Sequence, residues 1–507
     1  MRPTPIPTRT AQHPRIVHLS ILLPILFSVL PSSATLSRVA SANKFGIGCY
    51  DDTPGSPSIA AQLDAAAALA GPGGWTILYL CSWHHQHGAS CLNTSTASSD
   101  PASRAKLRAA YARNLTVVAR IGNPYVVRDA ADDAGEGRTG TSAPFTSFRK
   151  LAAAYARFIA SLPLPPSDAP PLYVTVGNEF NACNEWRCSV EGEGGGVTST
   201  STSNMTATQM ALEVAAFYRD VSDALAPVRA ASGGRLLYGH GAIANWDTAP
   251  CECGTGRSLG GGALGLNFLK AMVENVPDLY ASPARVDWLS SHSYPFSAAK
   301  WGEDKARRGL EYYRNETMVV RPSGSGSGSG SGSERRGGGA ADSAVSAAFR
   351  PVPPPSSSSP SPLPSPSPSP LLDVIITETG WRRDPTRSIG GAERSNWTSL
   401  AFEHIWLPDP QILGVAPFLL GGAFWEGMGW SWMNVTGGDG GGSSDGGGSG
   451  GGDGSDDRNG GSGRVEDGRG GSSGRLRELT PNPVYTGVQR TRCEHFPSPS
   501  CLDEGEG

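Results

Sequence analysis

The chain has 507 residues, with 42 Lys and Arg set against 46 Asp and Glu for a formal net charge of -4. Its basic runs are no longer than pairs such as Arg335-Arg336 and Arg382-Arg383, which argues against nucleic acid and an anionic membrane surface as electrostatically driven partners. Glycine (66) and proline (41) are concentrated in tracts that have to be set aside before domains are counted.

Residues 1–42 read as a leader. No acidic residue occurs before Asp51, and Arg2, Arg9 and Arg15 precede the apolar run Ile16 to Leu30, which Pro24 interrupts. That is the pattern of a secretory signal peptide, with small-residue cleavage sites at Ser32-Ser33-Ala34 or Ala40-Ser41-Ala42. An organelle transit peptide is the alternative, and the run is too short and broken for a stable membrane span. Sequons at Asn93, Asn114, Asn204, Asn315, Asn396 and Asn434 fit the secretory route. So do nine cysteines, among which Cys81 with Cys91, Cys183 with Cys188 and Cys493 with Cys501 are the plausible local disulfides. The odd count leaves one thiol over, and Cys251-Glu252-Cys253 lacks the matching pair a zinc site needs.

From residue 43 short β-branched or aromatic runs alternate with Ala- and Leu-rich segments of helical spacing. The predicted strands are KFGIGCY, WTILYLCSW, LTVVARIG, LYVTVGNE, RLLYGHGAI and VDWLSSHSY within 43–320, then DVIITETGW and GVAPFLLGGAFW within 372–436. Helical segments between them include SIAAQLDAAAALA, PASRAKLRAAYARN, TQMALEVAAFYRDVSDAL, KARRGLEYYRN and WTSLAFEHIW, with a last turn from about Pro483 to Arg490. Residues 321–371 are a Ser/Gly/Pro insert, 437–475 a Gly/Ser/Asp-rich one, and 476–507 a C-terminal segment with a helix and a disulfide. Strand-helix alternation repeated eight times predicts parallel pairing and an α/β fold of the (β/α)8 TIM-barrel kind. An open doubly wound sheet would carry a Gly-rich phosphate turn after its first strand, where this chain has Tyr50-Asp51-Asp52-Thr53-Pro54.

Chemistry in such a barrel sits where the strands end. Glu179 closes LYVTVGNE and Glu378 closes DVIITE, each after a mostly apolar run. Two carboxylates over one pocket suit glycosidic bond cleavage, one protonated to give a proton to the leaving oxygen and one ionised to attack the anomeric carbon. The competing expectation is that they cap helices or pair with Arg120 and Arg382. Glu426 is a third acid, placed in a loop after strand eight.

Gly177-Asn178-Glu179 and Thr377-Glu378-Thr379-Gly380-Trp381 resemble the strand-four and strand-seven signatures of the clan A retaining glycoside hydrolases. The resemblance implies Glu179 as acid/base, Glu378 as nucleophile, and Asn178 as partner of the sugar 2-OH. Ser291-His292-Ser293-Tyr294 is similar to the clan's His-x-Tyr, with Tyr294 on the nucleophile and His292 either lining the pocket or bonding structurally. Trp381 and Trp425 stand where aromatic faces would meet the sugar, and Trp83, Trp246, Trp430 and Trp432 also fall near strand ends. Members of family 5 carry an Arg at the end of strand two, whereas this chain reads Cys81-Ser82-Trp83-His84 there and has its nearest arginine, Arg120, on strand three. The expectation is a secreted, monomeric glycosidase acting on a β-linked polysaccharide or oligosaccharide, needing no metal or organic cofactor, with no nucleic-acid partner. A non-catalytic carbohydrate-binding or cell-wall protein, and a transglycosylase, are the alternatives.

Overall fold

The computed structural model describes residues 43–50, 56–81, 100–122, 148–181, 207–245, 264–280, 285–296, 299–321, 371–384, 389–420, 430–436, 478–498 and 501. The leader and both low-complexity inserts lie outside them, as do Asn93, Asn204, Trp83, Trp246, Trp425, Glu426 and the cysteines at 91, 183, 188, 251 and 253.

Eight short strands run in chain order: β1 (Gly46–Cys49), β2 (Trp75–Leu80), β3 (Thr116–Ile121), β4 (Leu172–Val176), β5 (Leu236–His240), β6 (Trp288–His292), β7 (Asp373–Glu378) and β8 (Ile412–Val415). Helices α1 (Ile59–Ala70), α2 (Pro101–Tyr111), α3 (Arg149–Ala160), α4 (Ala207–Ala231) and α5 (Leu264–Asn275) follow β1 to β5 in turn. Helices α6 (Asp304–Leu310) and α7 (Tyr312–Val320) follow β6, and α8 (Gly391–Ala401) follows β7. After β8 come a hairpin of β9 (Met433–Thr436) with β10 (Glu478–Pro481), then α9 (Pro483–His495).

Strands β1 to β5 form one all-parallel ladder in sequence order and β6 to β8 a second. Hydrogen bonds outside the regular ladders join the two at both seams. Phe45 bridges Val415 in parallel beside β1 and β8, and the Asp287 N–H donates to the Tyr238 carbonyl at 2.7 Å beside β5 and β6. This is the expected (β/α)8 arrangement, with a hydrogen-bond ladder that is interrupted at those two seams.

Strand alternation sorts the core into two layers. Val117, Ala119, Val174, Tyr238, Val374 and Ile376 point outward and pack under the helices, while Trp75, Ile77, Val118, Tyr173, Leu237, Trp288, Ile375 and Leu413 fill the barrel. Large residues there face small ones: a Cβ on Gly414 would stand 2.4 Å from the Trp75 ring, and one on Gly239 2.7 Å from that of Trp288. The lower interior is therefore a packed plug of rings, Trp75 to Tyr173 at 5.0 Å and Tyr173 to Trp288 at 5.9 Å between centroids, and the polar cluster described below lies at the upper ends of the strands.

Two predicted boundaries are corrected. The eighth strand is Ile412–Val415 instead of GVAPFLLGGAFW, because Pro417 lacks the N–H a continuing strand would need. The segment KARRGLEYYRN is two helices meeting at Glu311. The last helix forms as expected and is anchored by Arg492, which is fully buried and donates to the carbonyls of Leu69 and Ala68 at the end of α1. The expected disulfide Cys493–Cys501 is present, and Cys81 is also disulfide-bonded. Among the described residues no helix is long and apolar enough to cross a membrane.

Candidate active site

Seven polar or aromatic residues converge at the C-terminal ends of the strands. Tyr79 continues the inward row Trp75-Ile77 on β2, and Arg120 continues the row from Val118 on β3, directly opposite Tyr79. His292 ends the inward row of β6, with Tyr294 just beyond it. Asn178 and Glu179 lie in the turn after β4, and Glu378 is the last residue of β7.

The two glutamates reach this point by different local devices. Strict alternation from inward Ile375 would send Thr377 inward and Glu378 outward, into the apolar layer with Val374 and Ile376. A register shift between Ser291 and His292 pairs His292 with Glu378, so Thr377 becomes the extra residue and Glu378 comes into phase with the inward side of β6. Glu179 depends on a turn instead. Gly177 has φ 80°, and a Cβ there would stand 2.1 Å from the Phe180 ring. Phe180 is fully buried and stacks on Tyr218 at 5.7 Å, while Asn181 exchanges two hydrogen bonds with the Ala244 backbone at 2.8 and 3.0 Å. These contacts fix the turn on both sides of Glu179.

Glu378 is surrounded by donors. Arg120 Nη1 donates to its Oε1 in a short ion pair, Tyr79 OH to the same oxygen at 3.3 Å, and Tyr294 OH to Oε2 at 2.9 Å. Burial disfavours the charge on Glu378, but the Arg120 guanidinium paired with it and the Tyr294 hydroxyl that donates to it hold the carboxyl below its ordinary range. Burial also opposes the charge on Arg120; Tyr79 and Glu378 more than offset this and keep it protonated. Burial, Glu378 and Glu179 push the Tyr294 hydroxyl far up, so it remains a donor.

Glu179 sits across from this cluster. His292 Nδ1 lies 2.6 Å from Glu179 Oε1 and 3.6 Å from Glu378 Oε2. Glu179, His292 and Glu378 each place one ligand-type atom within 4.8 Å of the other two, so the carboxylates face each other closely. Spacing alone would admit a cation, but the donor set does not fit one. Arg120 occupies Glu378 Oε1 and also stands 3.1 Å from His292 Nε2, while Tyr294 takes Glu378 Oε2.

Of the residues expected from sequence, Glu179, Glu378, Asn178, His292 and Tyr294 are brought together, and Tyr294 bonds Glu378 as expected. The expected Glu378–Arg120 pairing also exists, but inside the site and not as a substitute for it; Arg382 is exposed. Two of the expected substrate contacts are engaged by protein groups. His292 is fully buried with its ring nitrogens beside Arg120 and Glu179, the structural of the two expected roles. Trp381 is 2 % exposed, donates its indole N–H to the Ala299 carbonyl at 2.9 Å and packs on Trp397, which places it under the loop. Trp432 is likewise buried, and Trp425 lies outside the described residues. Among the described residues Trp430 offers an aromatic face next to Tyr294, its ring meeting Tyr294 at 5.4 Å and Phe418 at 5.9 Å. Sequence reading passed over Tyr79, although its position two residues after inward Ile77 was the available signal.

No protein-family profile matches the chain, and no curated protein matches it either. Among solved structures it is similar to a family 39 glycoside hydrolase from the gut symbiont Bacteroides cellulosilyticus WH2, at 9 % identity and TM-score 0.43, over 92 % of this chain and 65 % of that one. It thus spans just under two thirds of that protein's length. It is also similar to a GH128 subgroup II endo-β-1,3-glucanase from Pseudomonas viridiflava, at 12 % identity and TM-score 0.31, over 75 % of this chain and 88 % of that one. A third is CJP38, a β-1,3-glucanase and allergen of Cryptomeria japonica pollen, at 9 % identity and TM-score 0.39, over 77 % of this chain and 95 % of that one. With each TM-score below 0.5, the fold rests on the strand order given above and the chemistry on the residues at the strand ends.

Proposed function

We propose that the chain is a secreted retaining glycoside hydrolase acting on a β-linked glycan. The observation that carries this reading is the meeting of Glu179 and Glu378, with oxygens within 4.8 Å, in unlike surroundings. Retaining glycosidases hold their two carboxyl groups about 5 to 5.5 Å apart, whereas inverting ones leave about 6.5 to 9.5 Å for a water. Glu378, paired with Arg120 and hydrogen-bonded by Tyr79 and Tyr294, suits the nucleophile, which must be ionised to attack the anomeric carbon. Glu179, which meets His292 Nδ1 at 2.6 Å, suits the acid/base. It gives its proton to the departing oxygen as the glycosyl–Glu378 bond forms, then takes one from the water that breaks that bond.

Asn178, buried beside Glu179, is the group for the sugar 2-OH, and Trp430 with Phe418 offers the apolar face on which a ring stacks. The leader supports export. The test is a panel of β-glucans, mannans, xylans and galactans with wild type, Glu179→Ala and Glu378→Ala. Reducing ends released by wild type and lost in both variants support the proposal. Binding without release in all three would replace it with a carbohydrate-binding protein, and products longer than the substrate would make the chain a transglycosylase.

A further inference from the structure

Arg120 reaches both glutamates, one directly and one through a histidine. Its Nη1 bonds Glu378 Oε1, its Nη2 lies 3.1 Å from His292 Nε2, and His292 Nδ1 lies 2.6 Å from Glu179 Oε1. Guanidinium nitrogens only donate, so Nε2 accepts and the ring proton resides on Nδ1, where it is donated to Glu179 Oε1. A second proton on Oε1 would point at the first.

We propose that Arg120, by fixing the tautomer of His292, assigns the transferable proton of Glu179 to Oε2 and so positions both carboxylates from one side chain. This rests on the reading of the two glutamates as a glycosidase pair. In the first step the Oε2–H bond breaks and its proton passes to the leaving oxygen, while Glu378 takes the anomeric carbon. Glu179 is then ionised and keeps the Nδ1–H bond on Oε1, leaving Oε2 to accept the proton of the incoming water. Arg120 and His292 act through the glutamates and are positioning residues. Among the described residues the ionisable groups facing them are Tyr79 from β2, Glu179 from the turn after β4, Tyr294 from beyond β6 and Glu378 from β7; Tyr79 and Tyr294 stay neutral because burial raises both far above their ordinary range. The arrangement requires a planar fork that donates in two directions at once, which lysine cannot reproduce.

The first test does not need turnover. Ring-nitrogen NMR of the full-length protein, with the His292 signals identified by their disappearance in His292→Asn, is expected to give the neutral Nδ1–H form in wild type and to lose it in Arg120→Lys. An Nε2–H ring in wild type, or an unchanged ring in Arg120→Lys, would overturn the proposal whatever the protein's activity.

The second test uses the pH dependence of kcat/KM on an activated aryl glycoside. Asn can place an amide N–H where Nδ1 stood and Gln one where Nε2 stood. His292→Gln and Arg120→Lys are therefore expected to move the alkaline limb up by about one pH unit, since an ionised carboxylate loses a donor, and His292→Asn to move it less. An equal shift in Asn and Gln variants would reduce His292 to a packing role. Inactivity of wild type on every glycoside would count against the glycosidase reading, and the ring spectrum would still judge the Arg120–His292 link.

Discussion

The end of β7 and the turn after β4 deliver the same side chain to the same place, and their difference lies in what waits there. Glu378 enters a cage with a cation and two phenols, reached through a bulge in a strand buried on both faces. Glu179 is held by its backbone, through Gly177, Phe180 and Asn181, and meets a histidine. Identical carboxyls therefore stand in unlike surroundings from position alone, the setting in which two acids can take unlike roles.

The sharpest way to break this contrast is to remove each acid. Glu378→Ala is expected to lower kcat by roughly 10⁵-fold or more on every substrate, the scale on which loss of a nucleophile acts. Glu179→Ala is expected to lose about 10²- to 10⁴-fold on a natural glycan. Its first step should survive on an activated aryl glycoside, with azide restoring turnover. Azide rescue confined to Glu378→Ala, measured by initial rates and product analysis, would exchange the two roles.

Next in size is the cage itself. Arg120→Met leaves Glu378 buried without its cation, and breaking a buried pair from one side costs about 3 to 5 kcal/mol. A lowered denaturation midpoint is expected, with the acid limb of any activity moved to higher pH. Because the folded state depresses the Glu378 carboxyl, its contribution to stability is present above the ordinary carboxylate range and is lost as pH falls through the folded value. Glu378→Gln should remove that acid-side dependence from a series of melts.

The smallest effect comes from behind β6, where Glu316 of α7 receives a hydrogen bond from outward-facing Ser291 and burial pushes its carboxyl up to about 8. The unfolded chain releases that proton near the ordinary carboxylate value of 4.5, so stability should fall as pH rises between the two values, by about 1.4 kcal/mol per pH unit at most. Glu316→Gln is expected to flatten this part of the profile and to raise the melting temperature at pH 7 without moving either limb of kcat/KM. A steeper decline in the variant would contradict the buried, protonated state of Glu316.

Much of this was legible in the sequence because the strands of a parallel barrel are apolar on both faces, and a carboxylate at the end of Val374-Ile375-Ile376 stands out against them. Seven of the eight strands lie within the segments read from pattern alone, and Tyr294 met Glu378 as the His-x-Tyr resemblance implied. What pattern could not convey was phase. Counting by two along β7 points Glu378 at the helices, and only a bulge set by the neighbouring strand reverses it. Arg120 was noticed as an alternative partner and Tyr79 was overlooked, because their meaning depends on being opposite one another in adjacent strands. Trp381 shows the limit of residue type, since an aromatic at a strand end can serve a loop's core, as its burial and its bond to the Ala299 carbonyl show here, as readily as a sugar.

The most direct measurement is proton NMR of the sugar first released from whichever β-linked substrate the wild-type protein cleaves, read before mutarotation. Two carboxyl groups this close predict that the β-anomer appears first and that Glu378→Ala releases none. An α-anomer formed first, or release that persists without Glu378, would contradict the double displacement.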